Sequence, residues 1–215
     1  MKTKDIISKV RNIINELSTD EDSFSQETDA SILEFIGTAS RQVALLPKYK
    51  AEPVTLNGSS ESGFFSRPDG MFFLRLPLPA DCLRPVSLNI TGWVTPVYRF
   101  YPVSDKKFLA QYSSVPGIGN GPYSPVAFIT EDNGEYIIAH SVKNKSSHQL
   151  RYIAIPEITS DGTINMPDKY TDVVAYTTAG LFLQSTDDYS KAKSAFDTAG
   201  ALMQNIGEAP EETQQ

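Results

Sequence analysis

The sequence predicts an α+β fold, a four-helix bundle made by the N- and C-terminal helix pairs and carrying an inserted antiparallel β-rich subdomain. Apolar residues recur at helical spacing near both ends of the 215-residue chain. Between them lie short β-branched and aromatic runs separated by Pro and Gly. Each terminal helix alone would leave an apolar stripe in water, so we expect the two pairs to pack together.

The first 50 residues predict two helices joined by a short acidic connection. Pro47 stops the second helix, which runs from about residue 28 to 46, and Asp29 favours its N-terminus electrostatically. The short connection predicts an antiparallel hairpin. The apolar stripes are Ile6, Ile7, Val10, Ile13, Ile14 and Leu17 on the first helix, and Ile32, Leu33, Ile36, Ala39, Val43 and Leu46 on the second.

Residues 51–163 predict the β-rich insertion. Its apolar runs are Met71–Leu76, Leu83–Ile90, Val126–Thr130, Tyr136–His140 and Leu150–Ile155. Hairpin turns at 131–134, where Asn133-Gly134 tolerates positive φ, and at 143–147 predict that the last three runs form an antiparallel meander. A short helix is expected around Lys106–Tyr112, and long loops at 57–69 and 113–125.

Residues 164–206 predict the C-terminal helix pair, one helix behind Pro167 and one after 185–188. Each of these two helices presents one apolar face. We expect the tail at 207–215, which has no apolar stripe, to fray. The faces are Tyr170, Val173, Val174, Thr177 and Leu181, then Tyr189, Ala192, Phe196, Ala199, Leu202, Met203 and Ile206.

Charge and cysteine usage exclude several classes of function. The chain carries 19 basic and 26 acidic groups, a net charge of −7, which argues against tight binding to nucleic acid. Cys82 is the only cysteine, so an intrachain disulfide and a thiolate metal site are excluded, and we expect a small buried side chain. We find no signal peptide or membrane span and expect synthesis in a host cytoplasm.

No catalytic constellation is apparent, so we expect no enzyme, no cofactor and no metal. His140 and His148 are the only histidines and are predicted on neighbouring strands of one hairpin, without a carboxylate pattern to complete a metal site. The glycines at 117–121 lack the lysine of a phosphate loop, and the acidic cluster at 20–29 lacks the spacing of a calcium loop. These features favour a function in assembly.

Two groups of residues are candidates for contacts with partners. The aromatic candidates for a subunit or partner interface are Phe64, Phe65, Phe72, Trp93, Tyr112 and Tyr123, and the basic candidates for a surface facing DNA are Lys106, Lys107, Lys143 and Lys145. Trp93 also fits a core position, and for the lysines a solvated turn is the favoured interpretation. Paired aromatics in a loop, such as Phe64-Phe65, would be covered by a partner.

The order of these segments resembles the phage tail adaptor, or head–tail connector, family. These are ring proteins below the portal of short-tailed phages, including the crAss-like group. The resemblance covers most of the chain: the opening helix at 6–17, the stretch 24–36, the proline-led strands from Pro125 and, most specifically, Pro167-Asp-Lys-Tyr-Thr-Asp-Val-Val-Ala-Tyr. The loops at 57–69 and 113–125 are longer than the family's usual connections.

The resemblance implies a structural virion protein. It implies a homo-oligomeric ring, commonly twelve-fold, that docks between the portal protein and the tail, seats other tail or ring proteins, and conducts the genome during DNA ejection. DNA would pass through the channel without sequence-specific binding, and no membrane is involved. We expect the helical part to form the ring body and the β part to make axial contacts.

Two other functions fit parts of the sequence. A host-surface or carbohydrate-binding tail module is compatible with the aromatic loops and the β content, and it predicts a monomer or trimer. A cell-wall hydrolase would need a carboxylate or metal cluster, which the sequence does not present.

Overall fold

The computed structural model describes residues 1–17, 26–58, 63–67, 70–111, 124–130, 135–142, 145 and 147–208. Its helices are α1 (Thr3–Leu17), α2 (Gln26–Leu45), α3 (Lys106–Ala110), α4 (Thr171–Ser185) and α5 (Tyr189–Glu208). Its strands are β1 (Val54–Gly58), β2 (Phe64–Ser66), β3 (Phe72–Pro77), β4 (Cys82–Ile90), β5 (Phe100–Pro102), β6 (Ala127–Thr130), β7 (Tyr136–Val142) and β8 (His148–Ala154). The α+β class is confirmed.

The chain divides into two compact units. A helical unit combines Met1–Ala51 with Ile155–Gln215, and a β unit consists of Glu52–Ala154. The division differs from the sequence boundaries at residues 155–163, which group with the helices. A β-bridge from Lys2 to Thr163 and another from Ile158 to Ile164 account for this difference, because they join this segment to the N-terminus and to the start of the C-terminal region.

Helix α4 lies at the centre of the helical unit, where it packs against α1, α2 and α5. The sequence predicted one apolar face for α4, whereas the structure buries residues on nearly every side. Three neighbouring helices leave little of its surface for water, which is why α4 is apolar all round. Its buried residues are Val173, Val174, Ala175, Thr177, Thr178, Ala179, Gly180 and Leu183.

The three helices around α4 each bury one face, as their periodicity predicts. Three residues are exceptions: Leu33 and Leu46, expected in the stripe of α2, are 40% and 39% exposed, and Tyr189, expected on the face of α5, is 62% exposed. Two buried hydroxyls of α4 return to their own helix, since Thr177 and Thr178 donate to the carbonyls of Val173 and Val174 at 2.8 and 2.7 Å.

A tight connection joins α4 to α5. Asp187 adopts φ 63°, and the amide of Asp188 donates to the carbonyl of Leu183 at 3.0 Å, which completes a Schellman-type end to α4. Asp188 then caps α5, because its carboxylate accepts from the amide of Lys191 at 3.3 Å and pairs with the Lys191 ammonium at 2.8 Å. These hydrogen bonds lower the pKa of Asp188, with the side-chain bond to Lys191 as the largest cause.

The β unit contains two sheets that share one apolar core. Strand order is β1-β8-β4 in the three-stranded sheet and β2-β3-β7-β6-β5 in the five-stranded sheet. Leu88, Ile90, Leu150 and Tyr152 from the smaller sheet belong to the same buried cluster as Leu74, Leu76, Ile137 and Ala139 from the larger one. A core shared by two sheets makes each of them half-buried, which explains their alternating burial.

Two predictions about strand pairing are wrong. Strands β6 and β7 pair as predicted, but β8 leaves the meander and pairs with β1 and β4 in the other sheet. There it is the central strand, and its alternate residues Leu150 and Tyr152 reach the shared core. The insertion is also not wholly antiparallel, because β5 and β6 pair in parallel over three residues.

The predicted loop at 57–69 contains structure. Residues 57 and 58 belong to β1, and β2 pairs with β3, so Phe64 and Phe65 lie in a sheet. Gly63 allows the chain to turn into β2, because it has φ 91° and a Cβ there would lie 2.6 Å from the Arg75 carbonyl oxygen. Residues 59–62 and 68–69, the greater part of the other predicted loop (112–123), and the turn at 131–134 lie outside the described residues.

Candidate assembly surfaces

Tyr170 joins the start of α4 to the chain that leaves α2. It is fully buried in the short 3₁₀ turn behind Pro167. Its hydroxyl oxygen accepts from the Lys50 amide at 2.7 Å, and the hydroxyl lies 3.3 Å from the Lys50 carbonyl oxygen as a donor. The ring packs on Tyr49 with centroids 4.8 Å apart. One side chain therefore ties the segment that follows α2 to the start of α4.

A second connection holds the beginning of α1. The amide and the hydroxyl of Thr3 both donate to the carbonyl of Gly162, at 2.9 and 3.0 Å. Gly162 has φ 73°, and a Cβ there would lie 2.9 Å from the Thr3 hydroxyl oxygen. Hydrogen bonds from the hydroxyls of Thr159 and Thr163 lower the pKa of Asp161, the Thr159 bond being the largest cause. This turn and Tyr170 bind the two ends of the helical unit together.

The aromatic residues predicted to meet partners occupy different environments. Phe64 and Trp93 are only 7% and 8% exposed and belong to the β core. Phe72 is partly buried against the same core. Tyr112 and Tyr123 lie outside the described residues. Among the four members of this set that the structure describes, Phe65 has the most exposed ring, at 48%.

Phe65 is supported by residues that the sequence analysis did not select. Its ring stacks on Phe73, with centroids 5.2 Å apart and an interplanar angle of 19°. Phe73 lies in turn 6.0 Å from the ring of the buried His140. An Arg67 nitrogen donates to the Gln111 carbonyl at 2.6 Å, and another lies 3.4 Å from Nδ1 of His140. Alternation along β2 and β3 could have identified Phe73, because Phe65 and Phe73 face each other across the strands.

The predicted basic surface is divided between separate positions. Lys106 and Lys107 begin α3, where Asp105 caps the helix by accepting from the Lys107 amide at 2.9 Å. The Lys107 ammonium donates to the Tyr101 hydroxyl at 2.8 Å, whereas the exposed Lys145 lies 5.8 Å from the Phe72 ring centre. Lys143 lies outside the described residues. The lysines that the structure describes are exposed, but exposure alone does not test the predicted contact with DNA.

The two histidines do not share a hairpin, which corrects the sequence prediction. His140 lies on β7 in the large sheet and His148 on β8 in the small sheet. Both are buried, and burial lowers the pKa of His148. Among the described residues no three His, Cys, Asp or Glu side chains are grouped as a metal site.

Cys82 has the environment of an unreactive thiol. It is half-buried at the start of β4. Burial, followed by the negative charges of Asp81 and Glu135, raises the pKa of its thiol to about 12. A neutral thiol is a poor nucleophile near pH 7, so Cys82 lacks the activation that a catalytic cysteine needs.

The charges of the chain are distributed unequally between the two units. The helical unit contains 10 basic and 18 acidic residues, and the β unit 9 basic and 8 acidic residues. The net charge of −7 therefore arises from the helical unit, while the β unit is almost neutral. Neutral surfaces approach one another with less repulsion than acidic ones.

Strand β1 is an apolar feature that the sequence analysis missed. It is one edge of the three-stranded sheet and pairs with β8 over all five residues. Val54 and Leu56 are 39% and 38% exposed, although they face the same side as the buried Leu150 and Tyr152. Only the order Val-Thr-Leu-Asn-Gly, with alternating apolar positions, marks this strand in the sequence.

Comparison with protein families gives a match over residues 1–214 to the model described as the SU10 adaptor protein. The match covers nearly the whole chain, including both helical ends and the β insertion. The chain belongs to the SU10 adaptor protein family. A search of curated proteins found no match.

Membership indicates a phage adaptor protein, with a structural role in the virion and contacts with other phage proteins. No helix of this adaptor, as far as the chain is described, is long and apolar enough to cross a membrane. The stretch that carried the resemblance most specifically begins at Pro167 and holds Tyr170. In this adaptor the stretch therefore holds the side chain that joins the start of α4 to the segment after α2.

Proposed function

We propose that this adaptor forms a homo-oligomeric ring, twelve-fold by analogy with related connectors, in the head-to-tail connector beneath the portal protein. The ring would line the DNA channel and seat tail components, and DNA would pass during ejection without sequence-specific contacts. The observation that carries the proposal is the family match over residues 1–214. We also propose that this ring is similar to the ring proteins of crAss-like phages.

The charges of the chain support a channel that does not retain DNA. A net charge of −7 gives few sites at which phosphates could displace counterions, so the genome would slide without sticking. Lys106, Lys107 and Lys145 are exposed and would make only weak phosphate contacts. We infer no sequence-specific DNA recognition.

The helical unit suits a rigid ring body. We propose that its four long helices act as one bundle, with α4 central and the ends held by Tyr170 and Thr3. The unequal charges favour contacts between subunits through the β unit, in addition to the axial role expected for it from the sequence. A closed ring requires such contacts to be heterologous, with different surfaces meeting on successive copies.

We also propose that the protein has no catalytic activity. The described residues support this view, because Cys82 has a raised thiol pKa and the two histidines lie in separate sheets. A structural role needs neither a cofactor nor a metal.

Native mass spectrometry of the full chain, alone and mixed with the portal protein of the same phage, tests the proposal. We expect one high-mass species, either at an integral multiple of the subunit mass for the chain alone or, in the mixture, at the mass of the portal assembly plus such a multiple. Mixing with an unrelated portal is the matched control and should give no complex. Monomers that persist in every mixture would contradict the ring.

A further inference from the structure

We propose that the outer edge of β1, with the side chains of Val54 and Leu56, pairs with an extended segment of a second copy of this chain. The inference rests on the proposed ring and names one of its lateral contacts. Within the described part of the chain, β1 pairs with β8 on one side and with no strand on the other. Such an edge offers backbone donors and acceptors to another chain.

The edge lacks the features that protect exposed strands. Residues 54–58 carry no charge and no proline, and their pairing with β8 runs without a bulge. The opposite edge of the same sheet is different: β4 contains Pro85, has two register shifts and is bridged at Leu88 by Val97. Natural edges are blunted by proline, bulges or charges, and only β4 shows these features.

The side chains of β1 indicate which face an incoming segment would cover. Val54 and Leu56 pair across the sheet with Tyr152 and Leu150, which are 5% and 0% exposed. Val54 and Leu56 therefore lie beside buried core residues but are themselves more than a third exposed. A neighbouring strand would extend the core over both residues and remove this apolar surface from water.

The distribution of charge favours a second copy as the occupant. Two acidic helical units repel each other, whereas the β unit, with 9 basic and 8 acidic residues, approaches its own copies without net repulsion. An uncharged apolar edge within this neutral unit fits another neutral surface. A strand supplied by the portal protein is the competing occupant.

Hydrogen exchange of the wild-type chain tests the inference without a mutation. The exchange of the Val54–Gly58 amides is measured in the monomer, in the assembled protein and in the complex with the portal. We expect slower exchange in every assembled form, because a second strand would protect amides that β8 leaves open. Unchanged exchange in an intact ring would overturn the edge contact and leave the ring standing.

A matched pair of variants separates the edge from the rest of the strand. Leu56→Lys places a charge on the apolar side, and Thr55→Lys places the same charge on the opposite side of β1. We expect Leu56→Lys to weaken self-association by about tenfold or more and Thr55→Lys by less than about twofold. Circular dichroism melting would check that both variants fold.

The remaining outcomes also decide the question. Equal effects of the two variants would overturn the proposed face. Protection of β1 only at the portal, in copies that do not touch one another, would assign the edge to the portal instead. Failure to form any oligomer, alone or with the portal, would overturn the ring together with this contact.

Discussion

The hydroxyl of Tyr170 bonds to two backbone groups of one residue in the helical unit. It contacts the amide and the carbonyl of Lys50, and its ring lies on Tyr49. A buried hydrogen bond adds little net free energy to folding, because both groups bond to water in the unfolded chain. Removing one partner costs more, because the group left behind is buried without a hydrogen bond.

We expect Tyr170→Phe to lower the free energy of unfolding by about 1–3 kcal/mol, because both hydrogen bonds to Lys50 are lost while the ring remains. Urea denaturation measures the change. Tyr98→Phe is the matched control, because Tyr98 is 69% exposed, and it should change stability by less than about 0.5 kcal/mol. An equal effect of both substitutions would show that the Tyr170 hydroxyl does not hold this junction.

His148 provides a prediction about pH. Burial lowers its pKa in the folded chain, so below the ordinary value of about 6.5 the unfolded chain binds a proton that the folded chain does not. The stability due to neutral His148 is therefore present above about pH 6.5 and is lost as the pH falls through the lowered folded pKa.

An NMR titration of the wild-type protein should show a His148 midpoint below 6.5, with thermal stability decreasing as the solution is acidified through this range. His148→Gln, which cannot titrate, should have a flatter dependence of melting temperature on pH. A midpoint at or above 6.5 would mean that His148 is not held neutral by burial.

At the scale of elements, helices follow from the sequence more completely than sheets. The apolar stripes of α1, α2 and α5 have helical spacing, which is a local property, so their positions follow from neighbouring residues. The central position of α4 does not, because burial on all sides depends on three partners distant in the chain. Similarly, β8 has the alternation of a strand, but nothing local states which sheet it joins.

The exposure of the candidate residues follows less well from the sequence, for a related reason. Phe64 and Phe65 are adjacent in the sequence, yet the pleat turns one ring into the core and the other to solvent. Without the pairing of β2 with β3, both appeared equally exposed. Val54 and Leu56 were not selected from the sequence, because a five-residue strand has little periodicity and its edge position depends on β8.

Helices α4 and α5 contain two glycines with opposite surroundings. A Cβ at Gly200 would meet nothing within 4 Å, whereas a Cβ at Gly180 would lie 2.7 Å from the Phe196 ring. We expect Gly200→Ala to raise the free energy of unfolding by about 0.5–1 kcal/mol, as an ordinary helix position does.

Gly180→Ala should give none of this gain and should lower stability, because the Phe196 ring must move to make room. Thermal and urea unfolding of the two variants in parallel provide the comparison. A stabilising Gly180→Ala would show that α4 and α5 do not approach closely at this position.

For the whole molecule, the structure predicts that the N-terminal helices do not fold stably without the C-terminal ones. A fragment of residues 1–168 lacks α4, against which both α1 and α2 pack. Loss of this contact exposes several isoleucine and valine side chains, each of which contributes about 1.5–3 kcal/mol when buried.

We expect the 1–168 fragment to aggregate on expression, as measured by its soluble fraction and by gel filtration. A fragment of residues 1–208, which retains α5 in full, is the control and should remain soluble. Recovery of a monomeric, cooperatively melting 1–168 fragment would contradict a shared helical core.

Ring formation is the central claim, and cryo-electron microscopy of the full chain mixed with its portal protein tests it most directly. The account predicts class averages with a closed ring of identical subunits coaxial with the portal and with an open central channel. Portal particles that carry no additional ring, or that carry isolated copies around their rim, would contradict it.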